Sequence, residues 1–449
     1  MKKLILILFT ILLNQTIFAQ GPAVTSWLRN TSGITGRHYA AGNSTPIPES
    51  TLANVQTVQY SANSVYISTQ GIPAYITGPF LDGNPSLATA QNAIFKMTLN
   101  PIQNTGTPSP TTGGNIGLFI NGVALFDYRD GVSWKFSTGA LAGGPLMGMG
   151  DNVWNRDAVV GERLGFDCSK AHPAMGNYHH HQNPSAFNLD KVVISTVCDL
   201  YASDGLYVMD SNSHSPLIGY AYDGFPIYGA YAYKNSDGTG GITRMKSSYN
   251  LRSISVRTNY ADGTPVTNGP PVSATYPLGY FREDYEYIPT SASTPDFLDE
   301  HNGRFCITPE YPAGIYCYFT TVDANQNSAY PYAVGPTFYG VKNSSKVTSI
   351  SEPTAFYSPS ALTGILETIG LQVYPNPISD LIMIQSNELL KSNLIVELMN
   401  TNGQIVMSTD FYQGTTICHL ETSTLYDGIY FVRITDGIAQ KSYKVLIKH

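Results

Sequence analysis

Ile116-Gly-Leu-Phe-Ile-Asn-Gly-Val-Ala-Leu-Phe126 decides the fold class. Two short apolar runs, Ile116–Ile120 and Val123–Phe126, flank Asn121-Gly122. Asn and Gly tolerate the positive φ angles that a tight hairpin turn requires, so the segment reads as two antiparallel strands. Similar alternating runs recur at Val55–Tyr60, Ser64–Ile67 and Ile94–Met97, with turn signals between them. Few stretches carry the 3.6-residue period of a helix. The expectation is a mainly β protein, with a large loop-rich β domain in front.

Composition agrees. The chain has 449 residues, enough for more than one domain. Charged residues are only 13%, while 41 Gly, 28 Pro and 31 Tyr are present. Disordered chains have high charge and few aromatics, and helical bundles avoid Gly and Pro, so both classes are excluded. A formal net charge of −7 speaks against a nucleic-acid partner, which needs cations to neutralise phosphates. Among catalytic motifs, neither a Gly-rich phosphate loop nor a Gly-x-Ser-x-Gly elbow occurs. Asp210-Ser-Asn212 and Asn235-Ser-Asp237-Gly238 are oxygen-rich loops without the spacing of a calcium loop.

The N-terminus carries an address. Lys2 and Lys3 precede an apolar core at Leu4–Leu13, too short to span a bilayer, and a cut after Ala19 is expected. Residues 1–19 thus read as a signal peptide, with no transmembrane segment after them. In an exported chain disulfides are the default. Cys168, Cys198, Cys306 and Cys317 allow three pairings, and Cys418 stands apart. Cys306 and Cys317 are near enough in sequence to bridge a hairpin, with a thiolate metal ligand as the alternative.

The main body is expected over 20–340. Residues 341–370, rich in Ser and Thr and carrying Pro353 and Pro359, read as a linker. Beyond it, short alternating strands fill 371–449, with a turn at Asn402-Gly403, and predict a small Ig-like β-sandwich.

Nine histidines are present, and four fall between His172 and His181. In Tyr178-His-His-His181 an extended backbone sends alternate side chains to opposite faces. His179 and His181 then share one face, and Tyr178 and His180 the other. Two neutral imidazoles so placed suit one metal ion, with His172 as a third ligand if the chain folds back. A second island, Gly219–Gly229, holds Asp223 among aromatic residues, where it orients a ligand histidine or caps a turn with Gly224. A third, Leu298–Phe319, contains His301 and Glu310 as candidate polar site members.

These islands, in this order, resemble the YHYH family, named for a Tyr-His-Tyr-His strand. Tyr178-His-His-His181 is this chain's version, with His180 at the second tyrosine. Gly176, Gln182, Asn183, Pro184 and the upstream Gly117–Val123 fit as well. In the third island Cys317 stands where a histidine or small residue is expected, and His301 where a Cys is expected. The resemblance implies a secreted, β-rich domain with a histidine-bearing motif. The C-terminal region resembles the type A sorting domain of type IX secretion cargo. Val373-Tyr-Pro-Asn-Pro377, Leu425-Tyr-Asp-Gly-Ile-Tyr430 and Lys444-Val-Leu-Ile-Lys448 carry that likeness. It implies recognition by the type IX machinery, passage through the outer membrane of a Bacteroidota-type cell, and release or surface attachment.

Three functions follow as expectations. One is a secreted protein that binds copper or zinc through His172, His179 and His181. Another is a secreted metalloenzyme, redox with copper or hydrolytic with zinc, using Asp223 or Glu310 as acid or base. The third is a surface adhesion or glycan-binding module built on the Tyr-rich loops.

Overall fold

The computed structural model describes residues 20–82, 87–144, 149–185, 198, 200–201, 204–291, 293–357, 369–390, 393–401, 403–435 and 440–449. The signal peptide expected over 1–19 lies outside the described residues, as do Asn402 and residues 358–368 of the expected linker. The chain divides into two compact units, one up to Tyr357 and one from Ser358. The regular elements of both are almost all strands, joined by long loops.

Among the described residues, an eight-stranded sheet forms the centre of the first unit. Its strands are β1 (Asn115–Phe119), β2 (Ala124–Phe126), β3 (Ala171–Ala174), β4 (Asn177–His180), β5 (Leu217–Ala221), β6 (Pro226–Tyr228), β7 (Gly303–Cys306) and β8 (Ile315–Phe319). They lie in the order β3-β4-β2-β1-β5-β6-β8-β7. The β4/β2 and β6/β8 pairs are parallel and the others antiparallel. All three sequence islands therefore enter one sheet. The expected Asn121-Gly122 turn joins β1 to β2: Gly122 has φ +80°, and a Cβ there would clash with Thr69 Oγ1. Only glycine fits both constraints.

A second sheet of five strands covers Val55–Tyr60, Ser64–Thr69 and Ala93–Thr98, as the alternating runs predicted. Its Val58, Val65, Phe95 and Met97 join Leu118, Phe119, Ile218 and Ile227 in one hydrophobic cluster. The two outer strands of this sheet are a correction to the linker. Ser345–Val347 pairs with Ala93–Thr98, and Ala355–Phe356 with Val55–Tyr60. Both segments sit at sheet edges. Their side chains are exposed while their backbone completes the ladder, so composition alone reads them as linker.

Among the described residues of the second unit, seven strands form two sheets of three and four around a separate core. Alternation is strict: Ile382 and Ile384, then Leu394, Val396 and Leu398, then Tyr430, Val432 and Ile434 point inward. This is the expected Ig-like sandwich. In its expected hairpin turn, Gly403 has φ +79° and its N–H donates to Asn400 O.

Of the cysteines, Cys168 and Cys198 form a disulfide, and Cys306, Cys317 and Cys418 are free and buried. The bridge expected between Cys306 and Cys317 is thus corrected. Cys306 lies opposite Ile315 and Cys317 opposite Arg304, so the two are diagonal across the β7/β8 ladder, not directly paired. The Cys317 thiol instead donates to Ile315 O at 3.5 Å.

Candidate metal centre

The hairpin β3/β4 builds the centre. Met175 and Gly176 both have positive φ (50° and 82°), the two-residue turn whose twist matches paired strands. That turn fixes the register so that His172 pairs with His179. The alternation of β4 brings His181, two residues on, to the same face. All three imidazoles are buried.

Their Nε2 atoms converge. His179 Nε2 is 3.1 Å from His172 Nε2 and 3.0 Å from His181 Nε2. One candidate ligand atom from each residue falls within a common 4.8 Å. The other ring nitrogens are anchored. His179 Nδ1–H donates to Asn177 O at 2.8 Å, and His181 Nδ1–H to Asp127 O at 2.7 Å. A carbonyl only accepts, so these bonds place the proton on Nδ1 and aim the Nε2 lone pair of a neutral ring at the shared point. Phe126 stacks on His179 at 3.8 Å, and the Phe166 ring meets His172 edge-on at 4.9 Å. These contacts hold the rings in place.

Burial, and the two neighbouring imidazoles, hold His179 well below the ordinary imidazole value, so it is neutral. Lone pairs facing one another at such distances repel unless a cation lies between them, either a proton or a metal ion. Metal–nitrogen bonds of ~2.0–2.1 Å to a common centre suit these spacings.

A fourth group reaches the same point. Asp157 caps the short helix Ala158–Gly161 by accepting from Val159 N–H at 2.8 Å, and Glu162 follows the helix directly. Glu162 Oε2 lies 3.2 Å from His172 Nε2 and 3.3 Å from His181 Nε2. This oxygen is buried without an aligned hydrogen bond. Burial alone would raise its pKa, but His172 and His181 hold the carboxyl well below its usual range. For His181 the balance runs the other way: burial disfavours its charge, yet Glu162 raises it above the ordinary imidazole value.

A pocket of about 240 Å³ opens against the three histidines and Glu162, and Phe126, Arg129 and Asp130 line it too. Burial raises Asp130 to about 6 against the pull of Arg156, its ion-pair partner.

The opposite face of β4 is structural. Tyr178 donates to Asp167 Oδ2 at 2.8 Å. His180 donates Nδ1–H to Lys170 O at 3.3 Å and accepts from the Tyr75 hydroxyl at 2.7 Å. Burial, the largest influence, lowers His180 to about 3.

Residues 94–330 match the family described as YHYH protein. The chain belongs to the YHYH family. Residues 372–448 match the secretion system C-terminal sorting domain, which marks a protein exported by type IX secretion to the cell surface or beyond. The type IX machinery is thus a partner of the second unit. No match to a curated protein was found. Among the described residues, no helix is long and apolar enough to cross a membrane.

The other candidates of the YHYH domain are held away from the histidine cluster. Asp223 is fully buried and accepts from Tyr318 Oη at 2.5 Å, Gly340 N–H at 2.8 Å and Phe225 N–H at 3.3 Å. It ties the Gly219–Gly229 turn to β8 and to the segment after it. His301 Nδ1 pairs with Thr337 Oγ1 at 2.7 Å, and Glu310 accepts from Tyr228 Oη at 2.8 Å. The hydrogen bonds of all three go to groups other than the clustered histidines, and Tyr178 points to the far side of the strand. Sequence reasoning missed Glu162. It lies outside every island, and a lone acid after a four-residue helix carries no spacing that links it to a strand ten residues later.

Proposed function

We propose that this type IX-exported protein binds one transition-metal ion through Nε2 of His172, His179 and His181. The observation that carries the reading is the convergence of three buried Nε2 atoms, two of them with Nδ1 anchored on backbone carbonyls. Imidazole ligands suit copper and zinc, and copper(II) heads the divalent affinity order, so copper ranks ahead of zinc. Glu162 supplies a fourth, oxygen ligand or stands beside the ion. A bound ion would relieve the repulsion between lone pairs, which a proton shared with Glu162 would otherwise do. Metal analysis of the full chain by mass spectrometry, beside a His179→Ala/His181→Ala variant, tests this. About one copper or zinc per chain, absent from the variant, is expected. No metal in either, even after loading with copper(II) and zinc(II), would leave a proton-bridged structural cluster.

The pocket beside the histidines favours a second reading, a metalloenzyme. There Glu162 would act as base toward a metal-bound water in a hydrolytic reaction, and the pocket would admit substrate. Turnover of ester or phosphoester substrates by the metal-loaded chain, lost with Glu162→Gln while metal is retained, distinguishes it from binding alone.

A further inference from the structure

A larger cleft lies in the same domain, with Val159 and Val160 of the helix that precedes Glu162 in its wall. Its volume is about 780 Å³, within the range of ligand sites. Tyr249, Tyr285, Tyr330 and Phe297 give it aromatic walls. The Tyr285 and Tyr330 rings stack 4.0 Å apart and nearly parallel, and Tyr249 meets Tyr330 edge-on at 5.4 Å. Such a cluster is rigid, because each ring is held by the next.

Gln182, the residue after His181, also lines this cleft. It is fully buried, and neither its amide nitrogen nor its amide oxygen has a hydrogen-bond partner in the protein. Leaving both ends of a buried amide unmatched costs the desolvation of each group with no hydrogen bond in return. The Ser328 hydroxyl in the same wall is unmatched as well. The charged groups of the wall differ in this respect. Arg244 donates to Val322 O, Lys246 pairs with Asp296 at 2.6 Å, Asp323 accepts from Asn325 and Asn327, and Arg163 is engaged within the protein. The unmatched buried groups of the wall are therefore all neutral, a donor and an acceptor on a single amide and a hydroxyl, and they stand beside flat apolar rings.

We infer that this cleft binds a neutral oligosaccharide. Adjacent hydroxyls of a sugar donate and accept together, which answers both ends of the Gln182 amide. The C–H face of a pyranose ring packs on an aromatic wall. An ionised phosphate or sulfate ester only accepts hydrogen bonds, so it would leave the Gln182 amide oxygen unmatched.

The full chain is titrated calorimetrically with hexasaccharides derived from cellulose, laminarin, xylan, mannan, starch and chitin. Oligogalacturonate and inorganic phosphate serve as anionic probes. At least one neutral probe is expected to bind, and Gln182→Ala weakens it by about ten-fold or more, the equivalent of one lost hydrogen-bonded group. Leu251→Trp, at a half-exposed position that lines the cleft, is expected to block it without disturbing the core. Binding is expected to persist in the His179→Ala/His181→Ala variant and in chelator, so this inference stands or falls apart from the metal reading. The inference is overturned if no neutral probe binds the folded chain, if only the anionic probes bind, or if binding survives both cleft substitutions. Loss of binding on metal removal alone would place the sugar at the histidines and overturn it too.

Discussion

The imidazoles of His179 and His181 face each other with their Nε2 atoms 3.0 Å apart, each ring held from behind by a backbone carbonyl. They are separated in sequence by His180, whose ring points into the opposite side of the same strand. One strand thus presents two chemistries, and substitutions at adjacent positions should separate them. His179→Ala is expected to abolish metal uptake. His180→Phe is expected to leave metal uptake intact but to destabilise the fold by about 1–3 kcal/mol, because the Tyr75 hydroxyl and Lys170 carbonyl lose their partner. Metal content and thermal unfolding, measured on both variants, check the contrast. Equal metal loss in the two would show that strand integrity, and not ligation, is what the first variant removes.

Glu162→Gln keeps the shape of the side chain and removes its charge. Metal affinity in a chelator competition is expected to fall ~10–100-fold, the usual cost of losing a carboxylate that supports histidine ligands. Unchanged affinity would place the carboxylate outside the metal's reach.

Removal of the ion should be visible as stability. A ligand that binds only the folded chain stabilises by about 2.7 kcal/mol at a concentration of 100 times its dissociation constant. Calorimetry is expected to show a lower melting temperature for the first unit in chelator. The His179→Ala/His181→Ala variant should not respond to chelator at all.

The cysteines give a direct count. Titration of thiols in denaturant without reductant is expected to find three, from Cys306, Cys317 and Cys418. One thiol would mean that Cys306 and Cys317 had oxidised. Replacing both Cys168 and Cys198 with Ser should cost about 3–4 kcal/mol, given the 30 residues between them.

Several carboxyls are buried with few compensating charges. Burial pushes Asp157, Asp167 and Glu283 up to about 7 and Asp223 up to about 6. In the unfolded chain such groups titrate at about 4. The folded state therefore binds more protons between about pH 4 and 7, and stability falls as pH rises through that window. His180 and His214 are lowered and work in the opposite sense, but in the variant without His179 they are two groups against these four and Asp130, which burial raises to about 6. The metal-free double histidine variant is expected to melt at a higher temperature at pH 5.5 than at pH 7.5. The reverse order would mean that hydrogen bonds such as Tyr178 to Asp167 and Tyr332 to Asp157 keep these carboxylates ionised.

The sequence alone determined the β architecture, because alternation and Asn-Gly turns are local: Ile116–Phe126 folds as its residues dictate. The sorting domain was equally legible, since its strands alternate strictly around their own core. It also determined the two faces of Tyr178–His181, as the period of a strand is two. The tertiary structure alone decided what meets those faces. It brought Glu162 to the histidines from a helix with no periodic relation to them. It kept Asp223, His301 and Glu310 for hydrogen bonds elsewhere, although their residue types suited the site equally well. It set Cys306 and Cys317 diagonal across a ladder, where nearness in sequence had suggested a bridge. It turned part of an apparent linker into sheet edges, where the backbone is used and the side chains are not. Each of these depends on register and on contacts between segments distant in sequence. Local pattern fixes which way a side chain points, and only the packed fold fixes what lies opposite.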